Sequence, residues 1–238
     1  MEREGPEKPT LPVKVGAEII GTFFQTLVAT TVDVLYFSGQ GHVDYVSRWL
    51  ARGFITTAMI YAFSGVSGAH IDPAVSLAFA VRRALPVAQM IFYVTGQFVG
   101  GLVASLAVVA LWPHSVVLGA SHPGPGFSHG IALIAEVVLT FLVVIVILTT
   151  AEDEAKVGRQ AAVAVGMTVA ACGFFAGPIS GASMNPARSI PPQLLGGAYD
   201  LIWIYAIGPC AGAVLAAMAI AALAPRPDRG ERKAGEGA

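Results

Sequence analysis

The sequence predicts an all-α membrane protein with six transmembrane helices and two shorter re-entrant half-helices, arranged as an inverted internal repeat. Composition is the first reason, because hydrophobic residues make up 55% of the 238 positions and charged residues only 12%. That charged share is about half the share usual in soluble proteins. The second reason is the spacing of long apolar runs. The third is that three segments of the first half recur in the second half.

Six apolar runs are long enough to cross a bilayer, which takes about 20 mainly apolar residues in a helix. They lie at about residues 15–36, 49–66, 88–111, 131–150, 160–177 and 201–223. Two further segments, after Ala69 and after Ser183, contain fewer apolar residues than a span needs. Because Pro73 and Pro186 suit the first position of a helix, we interpret these segments as half-helices that enter the membrane and return.

The chain repeats itself with an offset of 112 to 118 residues. The matching segments begin at Glu18 and Glu136, at Ser67 and Ser180, and at Tyr93 and Tyr205. Repeat one covers residues 14–111, repeat two covers residues 131–223, and each contains three predicted spans. An odd number of spans places the second repeat upside down in the membrane. The two half-helices are therefore expected to enter from opposite faces and to meet near the midplane.

Basic residues predict the orientation, because cytoplasmic loops of membrane proteins carry an excess of Lys and Arg. In the six-span arrangement only Arg48, Arg52 and Arg188 fall toward one side, and the other basic residues fall on the opposite side. We therefore expect a plasma (inner) membrane protein with both termini in the cytoplasm. Residues 1–13 form a cytoplasmic N-terminal segment in this prediction, and residues 224–238 form a disordered cytoplasmic tail rich in Pro, Gly and charge.

The two proline segments, SGAHIDPAVS and SGASMNPARS, carry the most specific motif of the chain. Their central boxes consist of Asp72, Pro73 and Ala74, and of Asn185, Pro186 and Ala187. They resemble the paired Asn-Pro-Ala boxes of the aquaporin (major intrinsic protein) family, over about residues 14–223, and look closest to nodulin-type aquaporins and their bacterial relatives. The resemblance implies a passive channel in each monomer of a homotetramer, which contacts lipid and passes water and small neutral solutes. No enzyme activity, cofactor or nucleic-acid partner is expected.

The electrostatics of the two half-helices predicts a function at the membrane midplane independently of the resemblance. Two half-helices that face each other present the positive ends of their dipoles and a set of free backbone N–H donors. Asp72 and Asn185 stand at the N-cap positions, where short polar side chains accept from such donors. A neutral solute can exchange water for these groups, whereas a cation is disfavoured beside the positive ends.

Asp72 departs from the motif of the family, which has asparagine at this position. An ionised carboxylate accepts hydrogen bonds but cannot donate them. If Asp72 is protonated, or bonded within its own loop, the channel behaves ordinarily and the residue is an exchanged N-cap. If it is ionised, the midplane barrier to cations weakens. A cation- or proton-leaky channel is therefore the alternative function that this residue leaves open.

The resemblance also implies an outer selectivity filter. Arg188 corresponds to the filter arginine, and the family spacing places the other filter positions at Arg52, Gly173 and Ala182. The small Gly173 and Ala182 predict a relatively wide opening that suits glycerol, urea or metalloid hydroxides, with a strict water channel as the alternative. Because two arginines in one narrow opening repel, we expect Arg52 to snorkel to the external water rather than enter the filter.

Three further polar residues belong to the predicted site. Glu18 and Glu136 occupy matching positions in the two repeats, and the resemblance implies that they accept hydrogen bonds from the re-entrant loop backbones. His70 is predicted to line the cytoplasmic half of the passage, and a metal site there would need further ligands. A secondary transporter also uses inverted repeats and broken helices. A membrane enzyme would need a nucleophile partner that these groups lack.

Overall fold

The computed structural model describes residues 9–113, 119–152 and 160–223. The α-helices over these residues are α1 Leu11–Ser38, α2 Tyr45–Ser67, α3 Pro73–Val81, α4 Val87–Leu111, α5 His129–Glu152, α6 Ala161–Ser180, α7 Pro186–Gly196 and α8 Ile202–Leu223. A short 3-10 helix, Tyr199–Leu201, leads into α8. Residues 1–8 of the predicted N-terminal segment and the whole predicted tail lie outside the described residues.

Five of these helices, α1, α4, α5, α6 and α8, are long and apolar enough to cross a membrane. The remaining predicted span is α2, which has a sufficient length of 23 residues but carries Arg48 and Arg52. Both arginines are buried, with 4% of each exposed. Helix α2 can therefore lie at membrane depth only if these charges find partners inside the protein.

Helix α2 starts at a capping box. The Asp44 carboxylate accepts a hydrogen bond from the Ser47 N–H at 2.7 Å, and the Ser47 hydroxyl accepts from the Asp44 N–H at 2.9 Å. The backbone hydrogen bond from Ser47 lowers the pKa of Asp44, because it stabilises the ionised carboxylate. The cap fixes the start of α2 a few residues after the end of α1.

The two half-helices begin as their prolines predict. Helix α3 has 9 residues and α7 has 11, and a proline occupies the first position of each. Asp72 and Asn185 are the N-caps, with extended backbone at φ −156° and −144°. The Asp72 carboxylate accepts from the N–H two residues later at 2.8 Å, and the Asn185 side-chain oxygen accepts from the N–H three residues later at 3.2 Å. Both caps satisfy donors that would otherwise be unpaired.

The two repeats interlock through these half-helices. Helix α1 packs against α2 and α4 in repeat one, and α5 packs against α6 and α8 in repeat two. Helix α3 also packs against α8, and α7 packs against α4. Each half-helix therefore lies against the third span of the other repeat. This exchange is the arrangement expected of an inverted repeat whose half-helices enter from opposite faces.

Glycines bring the helices of each repeat into backbone contact. A Cβ atom at Gly100 would lie 2.3 Å from the carbonyl oxygen of Ile19, and a Cβ atom at Gly212 would lie 2.3 Å from that of Val137. Side chains are excluded at both positions, because real Cβ atoms do not come so close to oxygen. Small residues at such crossings let packing forces associate helices within a membrane.

Replacing Gly100 by alanine tests this contact. We expect Gly100→Ala to lower the free energy of unfolding by about 1–3 kcal/mol, because the added methyl group forces α1 and α4 apart. The measurement is thermal or denaturant unfolding of the purified protein in detergent. Gly16→Ala is the matched control, since a Cβ atom at Gly16 in α1 meets nothing within 4 Å. Equal stability of the two variants would contradict the predicted close crossing.

Candidate functional site

Glu18 holds the first re-entrant loop from inside the protein. Its carboxylate is fully buried and accepts from the backbone N–H groups of His70, at 3.0 Å, and Ile71, at 2.6 Å. The Ser67 hydroxyl at 2.6 Å and the Gln97 amide at 2.7 Å also donate to it. Four hydrogen bonds therefore compensate for the removal of this acid from water.

Glu136 holds the second re-entrant loop in the same way. It is fully buried and accepts from the N–H groups of Ser183, at 2.9 Å, and Met184, at 2.7 Å. The Ser180 hydroxyl donates to it at 2.7 Å, as the matching serine does in the first repeat. The carbonyl of Ser180 accepts in turn from the Tyr205 hydroxyl at 2.6 Å. The two loops are thus bound by equivalent groups.

Both loops contain residues in the left-handed region of backbone conformation. Ala69 and Ile71 have φ of 48° and 45°, and Ala182 and Met184 have φ of 42° and 59°. Such conformations cost about 1–3 kcal/mol each in residues other than glycine. The glutamate hydrogen bonds offset this cost, because they are shielded from water and therefore stronger than they would be in solution.

The tips of the two half-helices touch. The Asn185 side-chain amide donates to the carbonyl oxygen of Ile71 at 2.9 Å and to the side-chain oxygen of Gln25 at 3.0 Å. Ile71 immediately precedes the N-cap Asp72, so the contact joins the beginning of α7 to the beginning of α3. The two positive helix ends therefore meet at one level, as the repeat predicts.

A cavity of about 930 Å³ begins at these tips. Its lining includes Asp72, Asn185 and His70 of the re-entrant segments, together with Tyr61 of α2 and Thr150 of α5. His70 is 7% exposed, and its Nδ1 lies 3.1 Å from the Ser76 hydroxyl. Among the described residues no three His, Cys, Asp or Glu side chains are grouped as a metal site requires. The wall mixes apolar side chains with hydroxyl, amide and carboxyl groups.

A second cavity, of about 200 Å³, lies beyond the second re-entrant loop. Its lining includes Asp33, Tyr36, Arg48, Ser121 and Gly181. Among the described residues, the linings of the two cavities have no member in common. The side chains of Arg52 and Arg188 line neither cavity, although each bonds to residues that line the second one. We call the buried cluster that Arg52 and Arg188 form with Asp33 the constriction.

Arg188 is held on three sides at this constriction. It is 3% exposed, and one of its terminal nitrogens donates to the Asp33 carboxylate at 2.5 Å and to the carbonyl of Ala29 at 3.4 Å. The other terminal nitrogen donates to the Ser121 hydroxyl, which lies 2.7 Å from the hydroxyl of Ser189. These contacts fix the guanidinium group of the residue that the resemblance assigns to the filter.

Arg52 also lies in the constriction, so the expectation that it snorkels to external water is wrong. Its guanidinium group donates to the carbonyls of Gly181, at 3.2 Å, and Ala182, at 3.4 Å. It also donates to the same Asp33 oxygen that accepts from Arg188. The physical reason is that a carboxylate inside the protein compensates the charge, and snorkelling is favoured only when no such partner is available.

The space beside Gly173 is filled by a neighbouring ring, whereas this small residue predicts a relatively wide opening. A Cβ atom at Gly173 would lie 2.0 Å from the indole ring of Trp49, which is fully buried. The Arg52 guanidinium carbon lies 4.3 Å from the centre of the same ring, in the range of a cation–π contact. Gly173 therefore accommodates Trp49 and, through it, positions Arg52.

Asp33 links the whole constriction, and it is not among the residues predicted from the sequence. One carboxylate oxygen accepts from both Arg52 and Arg188, and the other accepts from Arg48 at 2.6 Å. Two guanidinium groups at about 5 Å repel by about 3 kcal/mol at an effective dielectric constant of about 20. The single carboxylate between them offsets this repulsion. A signal existed, because an ionisable residue inside an apolar span is a functional candidate.

Comparison with known proteins agrees with this geometry. The profile of the major intrinsic protein family matches residues 7–220. Aquaporin NIP2-1 of Zea mays is 40% identical over 205 residues, which cover 86% of this chain and 68% of that protein. Putative aquaporin NIP4-1 of Arabidopsis thaliana is 39% identical over 211 residues, with 88% and 74% covered.

A solved structure, the aquaglyceroporin from Plasmodium falciparum, has the same fold with a TM-score of 0.80 at 22% sequence identity. The match covers 89% of this chain and 96% of that one. Paired half-helices and interlocked repeats agree with these matches. The chain belongs to the major intrinsic protein family, the aquaporins, which are passive membrane channels for water and small solutes and not enzymes.

Proposed function

We propose that this channel conducts water and small uncharged solutes through a passage within each monomer. The observation that supports this path is a pair of cavities, of about 930 Å³ with Asp72 and Asn185 in its lining, and of about 200 Å³ with Asp33 and Gly181 in its lining. We place the constriction between them. Polar groups of the two boxes and of the two re-entrant loops follow one another along this proposed path. A neutral solute can therefore replace its water partners one at a time, whereas a cation meets two arginines and two positive helix ends.

Water is the species that we propose passes most readily. Trp49 fills the space beside Gly173, and Arg52 is bonded to the carbonyl of Ala182, so both contacts favour a narrow filter. Urea ranks next in this proposal, and glycerol and uncharged metalloid hydroxides follow. The solved protein of the same fold is named an aquaglyceroporin, which supports retaining small solutes beside water.

The proposed filter consists of Arg188 and Arg52, with Gly173 and Ala182 as its small neighbours. Arginine in a desolvated passage donates to the solute and repels cations. The further residues of the proposed site are the boxes Asp72, Pro73 and Ala74, and Asn185, Pro186 and Ala187, the loop-bracing Glu18 and Glu136, and His70 on the wall of the larger cavity.

We further propose a plasma (inner) membrane location with both termini in the cytoplasm. Arg82 and Arg83 at the end of α3 then lie on the cytoplasmic side, in accord with the usual bias of basic residues. Residues 14–111 and 131–223 are the two repeats of the channel unit. Large apolar side chains such as Phe54 and Met167, both 67% exposed, suit contact with lipid or with other copies in a homotetramer.

The proposal is tested by stopped-flow measurement on proteoliposomes. We expect the purified chain to accelerate water movement strongly, urea movement less and glycerol movement least, because the constriction narrows the passage for larger solutes. Protein-free vesicles of the same lipid are the control. Water movement no faster than in those vesicles would contradict the proposal, and glycerol movement as fast as that of water would contradict the ranking.

A second candidate function is a cation or proton leak through Asp72. The observation in its favour is that Asp72 lines the larger cavity, where an ionised carboxylate would attract cations. Against it, the carboxylate accepts from the Ala74 N–H at 2.8 Å and so serves its own helix as an N-cap. We therefore rank the leak second.

A dye-based assay of proton and potassium flux in proteoliposomes decides between the two. We expect no flux above that of protein-free vesicles, because the two helix ends and the two arginines oppose cations. A leak in the original protein that disappears in Asp72→Asn would establish the second function instead.

A further inference from the structure

We propose that Asp33 determines the specificity of the outer filter by holding Arg52 beside Arg188. The inference rests on the proposed function, because it explains why the passage favours water over larger neutral solutes. Asp33 is a positioning residue in this view. It acts by fixing the guanidinium groups of the two arginines at the constriction.

The Asp33 carboxylate forms hydrogen bonds with the guanidinium groups of three arginines. It lies near the end of α1, is 3% exposed, and reaches arginines of α2 and α7. One oxygen accepts from Arg52 and from Arg188, and the other accepts from Arg48 at 2.6 Å. The two filter arginines thus share a single anionic atom, which places their guanidinium groups side by side.

Arg48 gives the carboxylate a fixed orientation. Its guanidinium carbon lies 4.8, 4.7 and 4.4 Å from the ring centres of Tyr36, Phe37 and Trp49. Rings on several sides restrict the movement of this arginine, and its Nε in turn holds one oxygen of Asp33. The other oxygen is thereby left to accept from Arg52 and Arg188.

Arg52 depends on Asp33 for its position. Its other acceptors among the described residues are the neutral carbonyls of Gly181 and Ala182, at 3.2 and 3.4 Å, and its Nε is buried without a partner there. Without the carboxylate, Arg52 would be a buried charge beside a second positive charge. Such an arrangement is strongly unfavourable.

A released Arg52 has space to move away from Arg188. The cavity of about 200 Å³ begins at Asp33 and Gly181, both of which are partners of Arg52. Entry into this space would move the guanidinium group away from Arg188 and relieve the repulsion. Loss of the carboxylate should therefore widen the filter, and this effect should require Arg52.

The experiment compares Asp33→Asn, Arg52→Ala and the double variant by the ratio of glycerol to water permeability in proteoliposomes. We expect Asp33→Asn to raise this ratio about tenfold, a change in relative barrier of about 1.4 kcal/mol. Arg52→Ala should raise it similarly. The double variant should match Arg52→Ala alone, because coupled residues are not additive. Asp200→Asn, an exposed aspartate just before α8, is the matched control and should leave the ratio unchanged.

The outcomes separate this inference from the proposed function. An unchanged ratio in Asp33→Asn with water permeability retained would overturn the inference and leave the channel intact. Additive effects of the two substitutions would also overturn it, since Asp33 would then act without Arg52. Absence of water permeability in the original protein would instead refute the proposed function.

If Asp33→Asn does not fold, Arg52→Gln decides the question. This variant removes one charge from the constriction and leaves Asp33 bonded to Arg48 and Arg188, so the carboxylate stays compensated. A raised glycerol-to-water ratio would support the inference. An unchanged ratio would overturn it.

Discussion

The structure depends on the ability of two buried glutamates to satisfy irregular backbone at membrane depth. A bilayer core offers no water to unpaired N–H groups, so non-helical chain is tolerated there only when the protein supplies partners. Glu18 and Glu136 supply them, each to two consecutive N–H groups of a re-entrant loop. Only with both loops held can the half-helices begin near the middle of the protein and touch through Asn185.

The constriction meets a different physical requirement, because three buried arginines must have their charges compensated away from water. A buried ion pair often contributes little net stability, because desolvation offsets the attraction between the charges. Here one carboxylate serves three guanidinium groups, and the ring of Trp49 covers part of the remaining charge. The cluster retains an excess of positive charge. In the proposed function this excess contributes to selectivity more than to stability, since positive charge in a narrow passage opposes cations.

Features that depend on neighbouring residues were predictable from the sequence, and features that join distant residues were not. The spans and half-helices belong to the first kind, because apolar run length and the position of Pro73 and Pro186 act within a few residues. The environment of Arg52 belongs to the second, because Asp33 lies on another helix and no spacing rule pairs them. The contact between Trp49 and Gly173 also joins distant parts of the chain. From the sequence alone the glycine therefore suggested open space, which the Trp49 ring in fact fills. Ser121, which holds Arg188 from a loop, gave no signal in the sequence.

The crossed packing of the half-helices has a consequence for biosynthesis. Helix α3 leaves the ribosome early but lies against α8, which is synthesised after all the other described helices. The first half of the chain therefore enters the bilayer with a short polar-tipped segment that lacks its final neighbour. Until α8 is in place, the polar end of this segment must be kept away from lipid. The insertion machinery or water in the translocon would have to do so. Truncation near the C-terminus should for that reason harm the first half of the protein as much as the second.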